Sequence, residues 1–233
     1  MSLDEFGDLI VCSSLKCASC ELGRKSRFDP PLKHINRFSE DEIEEGKHLQ
    51  RVMGFGYEGC PIILVGEYPR DIEDDSANHG AFGVAEAEFL SKTSGPLKPV
   101  LRAVQRVGIP SRAVYSTSAI KCAVPKGAEA EARHKSSCLV NHLGVEIEHI
   151  EPAVIWVTGA VGMDMVRRHF KPSDVPKLSP GQFHIFKAPK IWRFQTIMIL
   201  RTHHPSQVKI GTASYEGIEM GCLKMMDYLA NAL

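Results

Sequence analysis

The segment Pro61-Ile62-Ile63-Leu64-Val65-Gly66-Glu67 joins a short apolar run directly to an acidic side chain. Three further runs have the same apolar character, at residues 114–120, 153–157 and 196–200. All four are rich in Val and Ile and do not alternate cleanly between apolar and polar residues. This pattern is typical of parallel strands that are covered on both faces. We therefore predict a buried parallel sheet of four strands.

Helical patterns lie between these runs. Apolar residues recur at helical spacing in two stretches, one with Leu97, Val100, Leu101, Val104 and Val107, the other with Cys138, Leu139, His142, Val145 and Ile150. Residues 161–170 and 215–229 predict two more helices. Strands that alternate with helices indicate an α/β fold with right-handed crossovers, so we expect a three-layer sandwich with helices on both faces of the sheet.

Composition limits the class of protein. A chain of 233 residues with 43% hydrophobic content can bury one sizeable core, so we expect a single domain over residues 1–233. The formal net charge is zero, so a nucleic-acid-binding face would have to be local. Seven cysteines without a secretory signal indicate a reducing compartment. No apolar run is long enough for a membrane span, so we expect a cytoplasmic monomer.

Four of the cysteines suggest a metal site. Cys17 and Cys20 form a C-x-x-C pair, whereas Cys122 and Cys138 stand sixteen residues apart. Thiolates select soft metals, which leaves zinc or an iron–sulfur cluster. One tight pair with two separated cysteines suits a cluster better than zinc, because structural zinc sites usually use two tight pairs. Cys12 leaves an alternative open, since it completes a C-x4-C-x2-C spacing typical of plant-type ferredoxins.

Each predicted strand runs into a polar segment. Glu67 to Asp74 follows the first strand, Lys121 and Cys122 the second, and Thr158-Gly159-Ala160 the third; Arg201 to Ser206 follow the fourth. Ligands of open α/β sheets bind at the carboxyl ends of the strands. The four segments therefore predict a site at one sheet edge, although a carboxylate at such a position is also a frequent helix N-cap.

The order of these motifs resembles the family 4 uracil-DNA glycosylases, from Cys17 to about Val208. The shared motifs are GExPxxxED at residues 66–74, a Phe-containing loop, Lys-Cys followed by a second Cys, an apolar strand ending in Thr-Gly-Ala, and His-Pro-Ser. The resemblance implies a 4Fe–4S cluster that ties the N-terminal segment to the fold. Its ligands would be Cys17, Cys20, Cys122 and Cys138.

The resemblance also implies roles around a base flipped out of DNA. Glu67 and Glu73 would stabilise the sugar cation or orient a water molecule, and His204 would donate to the departing base. Phe82 would stack on that base, with Tyr68 and Ser118 beside it. Contacts to the DNA would come from a further set: Arg70, Pro205, Ser206 and Lys209. Local positive charge lies near the cysteines, at Arg24, Lys25, Arg27, Lys126, Arg133 and Lys135.

The chain departs from the family pattern in three places. Ser118 replaces an Asn that reads the uracil edge, and a Ser hydroxyl lacks the paired donor and acceptor of an amide. Arg70 replaces a Gly, and the loop from Asp74 to Phe82 is two residues longer than the family pattern. Residues 28–59 form an atypical insertion. A smaller Ser leaves room for a larger base, so modified pyrimidines, including the hypermodified bases of phage DNA, become expected substrates.

These observations predict a monofunctional DNA glycosylase that leaves an abasic site, with a role in antiviral defence if phage bases are its substrates. No lysine stands in the site motifs as a nucleophile, so we expect no lyase step. Two alternatives are a noncatalytic iron–sulfur protein that binds nucleic acid with the same fold, and an enzyme acting on free nucleosides or nucleotides.

Overall fold

The structure is a computed structural model. It describes residues 59–68, 98–110, 113–122, 124, 129–189, 191–204, 207 and 215–232, together with the backbone of short strands at 9–11, 27–28, 50–51 and 55–57. The predicted N-terminal attachment through Cys17 and Cys20 lies outside these residues, as does most of the predicted insertion at 28–59.

Within the described residues, seven strands form one sheet in the order β1-β4-β6-β5-β7-β9-β8. The strands are β1 (Leu9–Val11), β2 (Arg27–Phe28), β3 (Gln50–Arg51), β4 (Phe55–Tyr57), β5 (Ile62–Gly66), β6 (Val114–Ser118), β7 (Val154–Thr158), β8 (Phe183–Lys187) and β9 (Thr196–Thr202). The short strands β2 and β3 pair with each other in a separate sheet.

The four predicted strands are β5, β6, β7 and β9, and they are parallel neighbours at the centre of the sheet. The prediction of a four-stranded sheet was nevertheless wrong, because other strands extend it at both edges. At one edge β8 pairs antiparallel with β9. Its side chains alternate between exposed and half-buried, and such an edge strand is less apolar than a central one. At the other edge β4 and β1 add short antiparallel pairs.

The structure has five α-helices in its described part: α1 (Lys98–Arg106), α2 (Ala132–Cys138), α3 (Gly144–Ile150), α4 (Ala160–Phe170) and α5 (Tyr215–Ala232). The four predicted helices correspond to α1, α3, α4 and α5, whereas α2 was not predicted. None of the helices in the described part of the chain is long and apolar enough to cross a membrane.

Two hydrophobic clusters show that helices cover both faces of the sheet, which confirms the three-layer prediction. Ile62 and Leu64 of β5 pack with apolar residues of α1 and α5. Ile63 and Val65 point the other way and pack with α2, α3 and α4. Successive side chains of a strand point to opposite faces, and helices cover both faces here. This is why β5 is apolar along its whole length. Trp156 of β7 is fully buried on the α1 and α5 face.

A buried ion pair fastens α3 to β6. Lys121 is fully buried and its Nζ lies 2.6 Å from Oε2 of Glu146. Thr117 donates its hydroxyl to the same carboxylate oxygen at 2.8 Å, and Tyr115 donates to Oε1 at 3.3 Å. Lys121 also donates to the Thr117 hydroxyl. These contacts supply the partners that a buried charge requires.

A π-helical turn, Leu139–Leu143, joins α2 to α3. Gly144 donates its N–H to the Leu139 carbonyl, five residues back. Cys138 and Glu146 are eight residues apart, which in a regular α-helix would turn them about 80° away from each other. The wider turn offsets this rotation, and both side chains are buried. A Cβ on Gly144 would lie 2.7 Å from the Leu139 oxygen, so this position requires glycine.

Removing one partner of the buried pair should destabilise the protein strongly. We expect Lys121→Met to lower the free energy of unfolding by about 3–5 kcal/mol, because it leaves the Glu146 carboxylate buried without its cation. Adding Glu146→Gln should recover part of the loss. The measurement is urea unfolding followed by tryptophan fluorescence.

Arg106→Met provides the control, since it breaks a largely exposed ion pair with Glu219. Its cost should stay below about 1 kcal/mol. Equal losses for Lys121→Met and Arg106→Met would show that the buried pair contributes no more than a surface contact.

Candidate active site

The parallel strands end at one level of the sheet. Ser118 at the end of β6 pairs with Gly66 of β5, and Thr158 of β7 pairs with Thr202 of β9. Val65 of β5 pairs with Val157 of β7, so the β5–β6 pair and the β7–β9 pair end in register with each other. The described parts of the four polar segments therefore leave the sheet at one edge, as predicted, whereas residues 69–74 and 205–206 lie outside the described ranges. Glu67 follows the central strand β5 and stands between the segments of β6 and β7.

Glu67 occupies the N-terminus of α4. Its Oε1 accepts hydrogen bonds from the backbone N–H of Ala160 at 2.7 Å and of Val161 at 3.3 Å. Gly159, the N-cap residue, has no side chain to satisfy these donors. A carboxylate from the neighbouring strand thus takes over the capping function and benefits from the helix dipole. These bonds hold the carboxylate in one orientation.

Gly159 makes room for that carboxylate. Its φ is 96° and its ψ is −178°, a conformation that only glycine adopts readily. A Cβ at this position would lie 2.4 Å from Oε1 of Glu67. Both the backbone conformation and the close approach of the carboxylate therefore require glycine in the Thr-Gly-Ala motif.

A cleft of about 740 Å³ opens beside Glu67. The described residues that line it come from the end of β5, the segment before α2, α2 itself, α4, the segment after α4, and β9. They are Glu67, Tyr68, Glu129, Ala130, Lys135, Ala160, Val161, Met163, Asp164, Arg167, Lys177 and Arg201. Tyr68 is half-buried and also packs against the apolar cluster under α4. The cleft therefore combines an aromatic side chain, a fixed carboxylate and several cations.

Arg201 lies on the sheet face that carries α4. Its Nη1 donates to the Leu178 carbonyl at 2.6 Å, and its buried Nε finds no hydrogen-bond partner within the described part of the chain. Arg167 donates its Nε to the Val175 carbonyl at 3.0 Å. Asp164 is paired with Arg168 at 3.1 Å. These contacts orient two of the four cations that line the cleft.

His204 follows β9, where the backbone turns. Gln207 donates its N–H to the His204 carbonyl at 2.9 Å, and His203 Nδ1 lies 3.1 Å from the Gln207 side chain. Thr202 is fixed from the sheet side, because its hydroxyl accepts a hydrogen bond of 2.9 Å from the Trp156 indole. His204 is half-buried two strands away from Glu67, which corresponds to about 10 Å between the backbones.

The structure does not bring every predicted residue into the cleft. The side chain of Ser118 is on the same face of β6 as Val114, the face that carries α1 and α5, whereas Glu67 lies against α4. Neither Ser118 nor His204 is among the described residues that line the cleft. The remaining predicted site residues lie outside the described residues; they are Arg70, Glu73, Phe82, Pro205, Ser206 and Lys209.

Two of the four predicted metal ligands are described. Cys122 follows β6, Cys138 ends α2, and both belong to the same buried cluster of side chains. Within the described ranges, no three side chains of His, Cys, Asp or Glu come together as a metal site. Cys17 and Cys20 lie outside those ranges. Cys60 and Cys222 are buried, as expected for thiols that act as small apolar side chains.

Sequence reasoning missed several contributors to this region. A carboxylate that follows a strand is a frequent helix N-cap, but nothing in the local sequence indicates that Glu67 caps the helix that begins after Gly159. Arg201 could have been found from strand alternation, since its side chain is on the same face of β9 as Ile199, the face that carries α4. The buried partner of Lys121 could not have been found in this way, because a π turn that the helical pattern does not reveal brings Glu146 to it.

Gly159→Ala should displace the Glu67 carboxylate. We expect it to lower the free energy of unfolding by more than the 1–3 kcal/mol, roughly, that the backbone conformation alone costs. Gly181→Ala is the matched control, because Gly181 has a φ of 84° and its added Cβ would meet nothing within 4 Å. Thermal unfolding of both variants measures the difference. Equal losses would show that the carboxylate accommodates the extra methyl group.

One family comparison covers this site. The family model for the uracil DNA glycosylase superfamily matches residues 53–214, which is more than half of the chain and includes Glu67, Gly159 and His204. No curated protein matches the sequence. Members of this superfamily are generally glycosylases that act on DNA. The matched range spans the strands from β4 to β9, and the chain therefore belongs to the uracil DNA glycosylase superfamily.

Proposed function

We propose that this protein is a monofunctional DNA glycosylase that hydrolyses the N-glycosidic bond of a flipped-out uracil or modified pyrimidine. The observation that carries the proposal is the placement of Glu67. Its carboxylate is held by two backbone N–H groups at the end of the central strand and lines a cleft with four cationic side chains. Family membership indicates the reaction class, and this geometry makes Glu67 the candidate for its catalytic carboxylate.

Hydrolysis makes the sugar C1′ electron-poor as its bond to the base breaks, and the bonding electron pair leaves with the base. The fixed carboxylate of Glu67 would stabilise the sugar cation or hold the attacking water. The water oxygen bonds to C1′ and releases a proton to the carboxylate or to solvent. His204, about two strand spacings away, would donate a hydrogen bond to the departing base. Glu73 would share the role of Glu67 on the sugar side, and Phe82 and Tyr68 would contact the base.

The cations around the cleft support a polymeric substrate. They are Lys135, Arg167, Lys177 and Arg201. Phosphate contacts from such side chains provide most of the sequence-independent affinity for DNA. Arg167 and Arg201 each donate to a backbone carbonyl, which orients the guanidinium, and each keeps further N–H groups for a ligand. Arg70, Pro205, Ser206 and Lys209 would add further contacts to the DNA.

Ser118 bears on the identity of the base. The Ser118 hydroxyl lies beside Gly66 at the end of β6, on the sheet face opposite to the Glu67 carboxylate, and a Cβ on Gly66 would lie 3.9 Å from it. A hydroxyl offers less reach and fewer hydrogen bonds than the amide at this position of the family pattern. From that departure in sequence we propose 5-substituted pyrimidines as substrates in addition to uracil. Release of hypermodified phage bases would give the protein a role in antiviral defence.

We also propose a 4Fe–4S cluster held by Cys17, Cys20, Cys122 and Cys138. Cys122 and Cys138 share one buried region although they lie on different elements, which fits a ligand set that draws on several parts of the chain. His134, four residues before Cys138, has a buried nitrogen that no described residue contacts by a hydrogen bond, as expected beside a group that accepts hydrogen bonds. When bound, the cluster would cross-link the N-terminal segment to β6 and α2.

The function is tested with Glu67→Gln. The amide oxygen can still accept the Ala160 hydrogen bond, so stability should change little, whereas loss of the negative charge should slow base release by about a hundredfold or more. Single-turnover release from DNA containing uracil or modified pyrimidines is followed by mass spectrometry. Glu129→Gln, which also removes a carboxylate from the cleft, should retain the natural rate.

Three outcomes separate the alternatives. A natural rate in Glu67→Gln, with lower stability only in Glu67→Ala, would reduce Glu67 to a helix cap. Absence of base release from every substrate, combined with DNA binding, would favour the noncatalytic binding protein. Release from free nucleosides alone would favour the nucleoside-processing enzyme.

The cluster is tested by metal analysis. Protein purified without oxygen should contain iron and acid-labile sulfide in equal amounts, and Cys138→Ser should deplete both. Cys222→Ser is the matched control, because burial raises the pKa of the Cys222 thiol to about 12 and this thiol lies on the other face of the sheet. Cys12→Ser should also retain the iron. Depletion by Cys12→Ser would favour the ferredoxin-like spacing, and zinc without sulfide would overturn the cluster.

A further inference from the structure

His134 is a buried side chain with one satisfied nitrogen. It is the third residue of α2 and only 6% of its surface is exposed. Its Nδ1 accepts a hydrogen bond of 3.2 Å from the backbone N–H of Glu131, the N-cap residue. In the usual capping box this acceptor is a Glu or Gln. The imidazole therefore does the work of a capping side chain, and its orientation is fixed by the helix start.

The same bond determines the proton position. A neutral imidazole carries one proton, and a nitrogen that accepts a hydrogen bond does not carry it. The proton is therefore on Nε2, which makes this atom a donor. Nε2 is buried and has no hydrogen-bond partner among the residues that the structure describes. Buried donors without partners are rare in folded proteins and indicate an ion, water or ligand at that point.

The neighbour of His134 on the helix is Cys138. The two residues stand at i and i+4, which places them on one helix face, and they are the buried residues of α2. Cys138 and Cys122 belong to one buried cluster. Sulfur accepts hydrogen bonds, and N–H groups that donate to the sulfur atoms of an iron–sulfur cluster change its reduction potential. The unpartnered donor is thus on the same helix face as a proposed ligand.

We propose that Nε2–H of His134 donates a hydrogen bond to a sulfur atom of the cluster that Cys138 helps to hold. The inference rests on the proposed cofactor and adds a residue that the ligand motif does not contain. His134 is not itself a metal ligand, because Nε2 would first have to lose its proton while Nδ1 is engaged with Glu131. Donation to sulfur stabilises the more negative, reduced cluster, so His134 raises its reduction potential.

The test compares His134→Leu with His134→Gln. Leucine removes both the capping acceptor and the donor, whereas glutamine retains an oxygen for the Glu131 N–H and an N–H for the sulfur. Each iron-loaded variant is studied by redox titration and by resonance Raman spectroscopy in H2O and D2O. We expect His134→Leu to have a lower reduction potential and a smaller deuterium shift of the Fe–S stretching bands. His134→Gln should restore both towards the natural values.

Lys135→Met is the control for charge and general disturbance, since Lys135 lies next in the chain but lines the cleft. It should leave the deuterium shift unchanged. An unchanged shift in His134→Leu, or a His134→Gln variant that behaves like His134→Leu, would overturn the hydrogen bond while the cofactor stands. Protein that contains no iron and sulfide overturns the cofactor and this inference together. The Raman comparison reports on the oxidised cluster, so it tests the hydrogen bond from His134 even if the cluster resists reduction.

Discussion

The parallel pairing of β5 with β6 and β7 is the constraint on which the rest of the structure depends. It brings Ser118, Gly66 and Thr158 to one level, and the chain leaves each strand on the same edge. The ladder also continues past the strand, because Ala119 and Ile120 donate to the carbonyls of Gly66 and Glu67. The position of Glu67 is therefore set from both neighbouring strands. Without that register neither the cap on α4 nor the cleft beside it would exist.

The site uses one carboxylate for two purposes. Glu67 completes the first turn of α4, and in the proposed reaction the same group faces an electron-poor sugar. A carboxylate that is already hydrogen-bonded to backbone N–H groups needs little reorganisation when charge develops near it. The arrangement also explains why a cap comes from outside the helix. A capping side chain at position 159 would occupy the space that Glu67 requires.

The sequence predicted the layers well and the long-range contacts poorly. The central strands were recognisable because Ile62 to Val65 are apolar on both faces, a local property of the chain. β8 was not predicted, because Phe183 and Ile185 alternate with half-buried residues at an exposed edge. The pairing of Lys121 with Glu146 and the orphan nitrogen of His134 depend on how helices are rotated about their axes. A π turn and a cap determine those rotations, and neither follows from hydrophobic spacing.

The antiparallel strand β8 has a consequence for motion near His204. Since β9 is hydrogen-bonded to β7 on one side and to β8 on the other, its amides should exchange with solvent slowly, through large-scale opening of the sheet. The outer amides of β8, in contrast, can exchange through local fraying. The Trp156 indole holds Thr202 at the last paired position of β9. Any movement of His204 relative to the sheet must therefore hinge after Thr202, and the sheet behind it acts as a rigid platform.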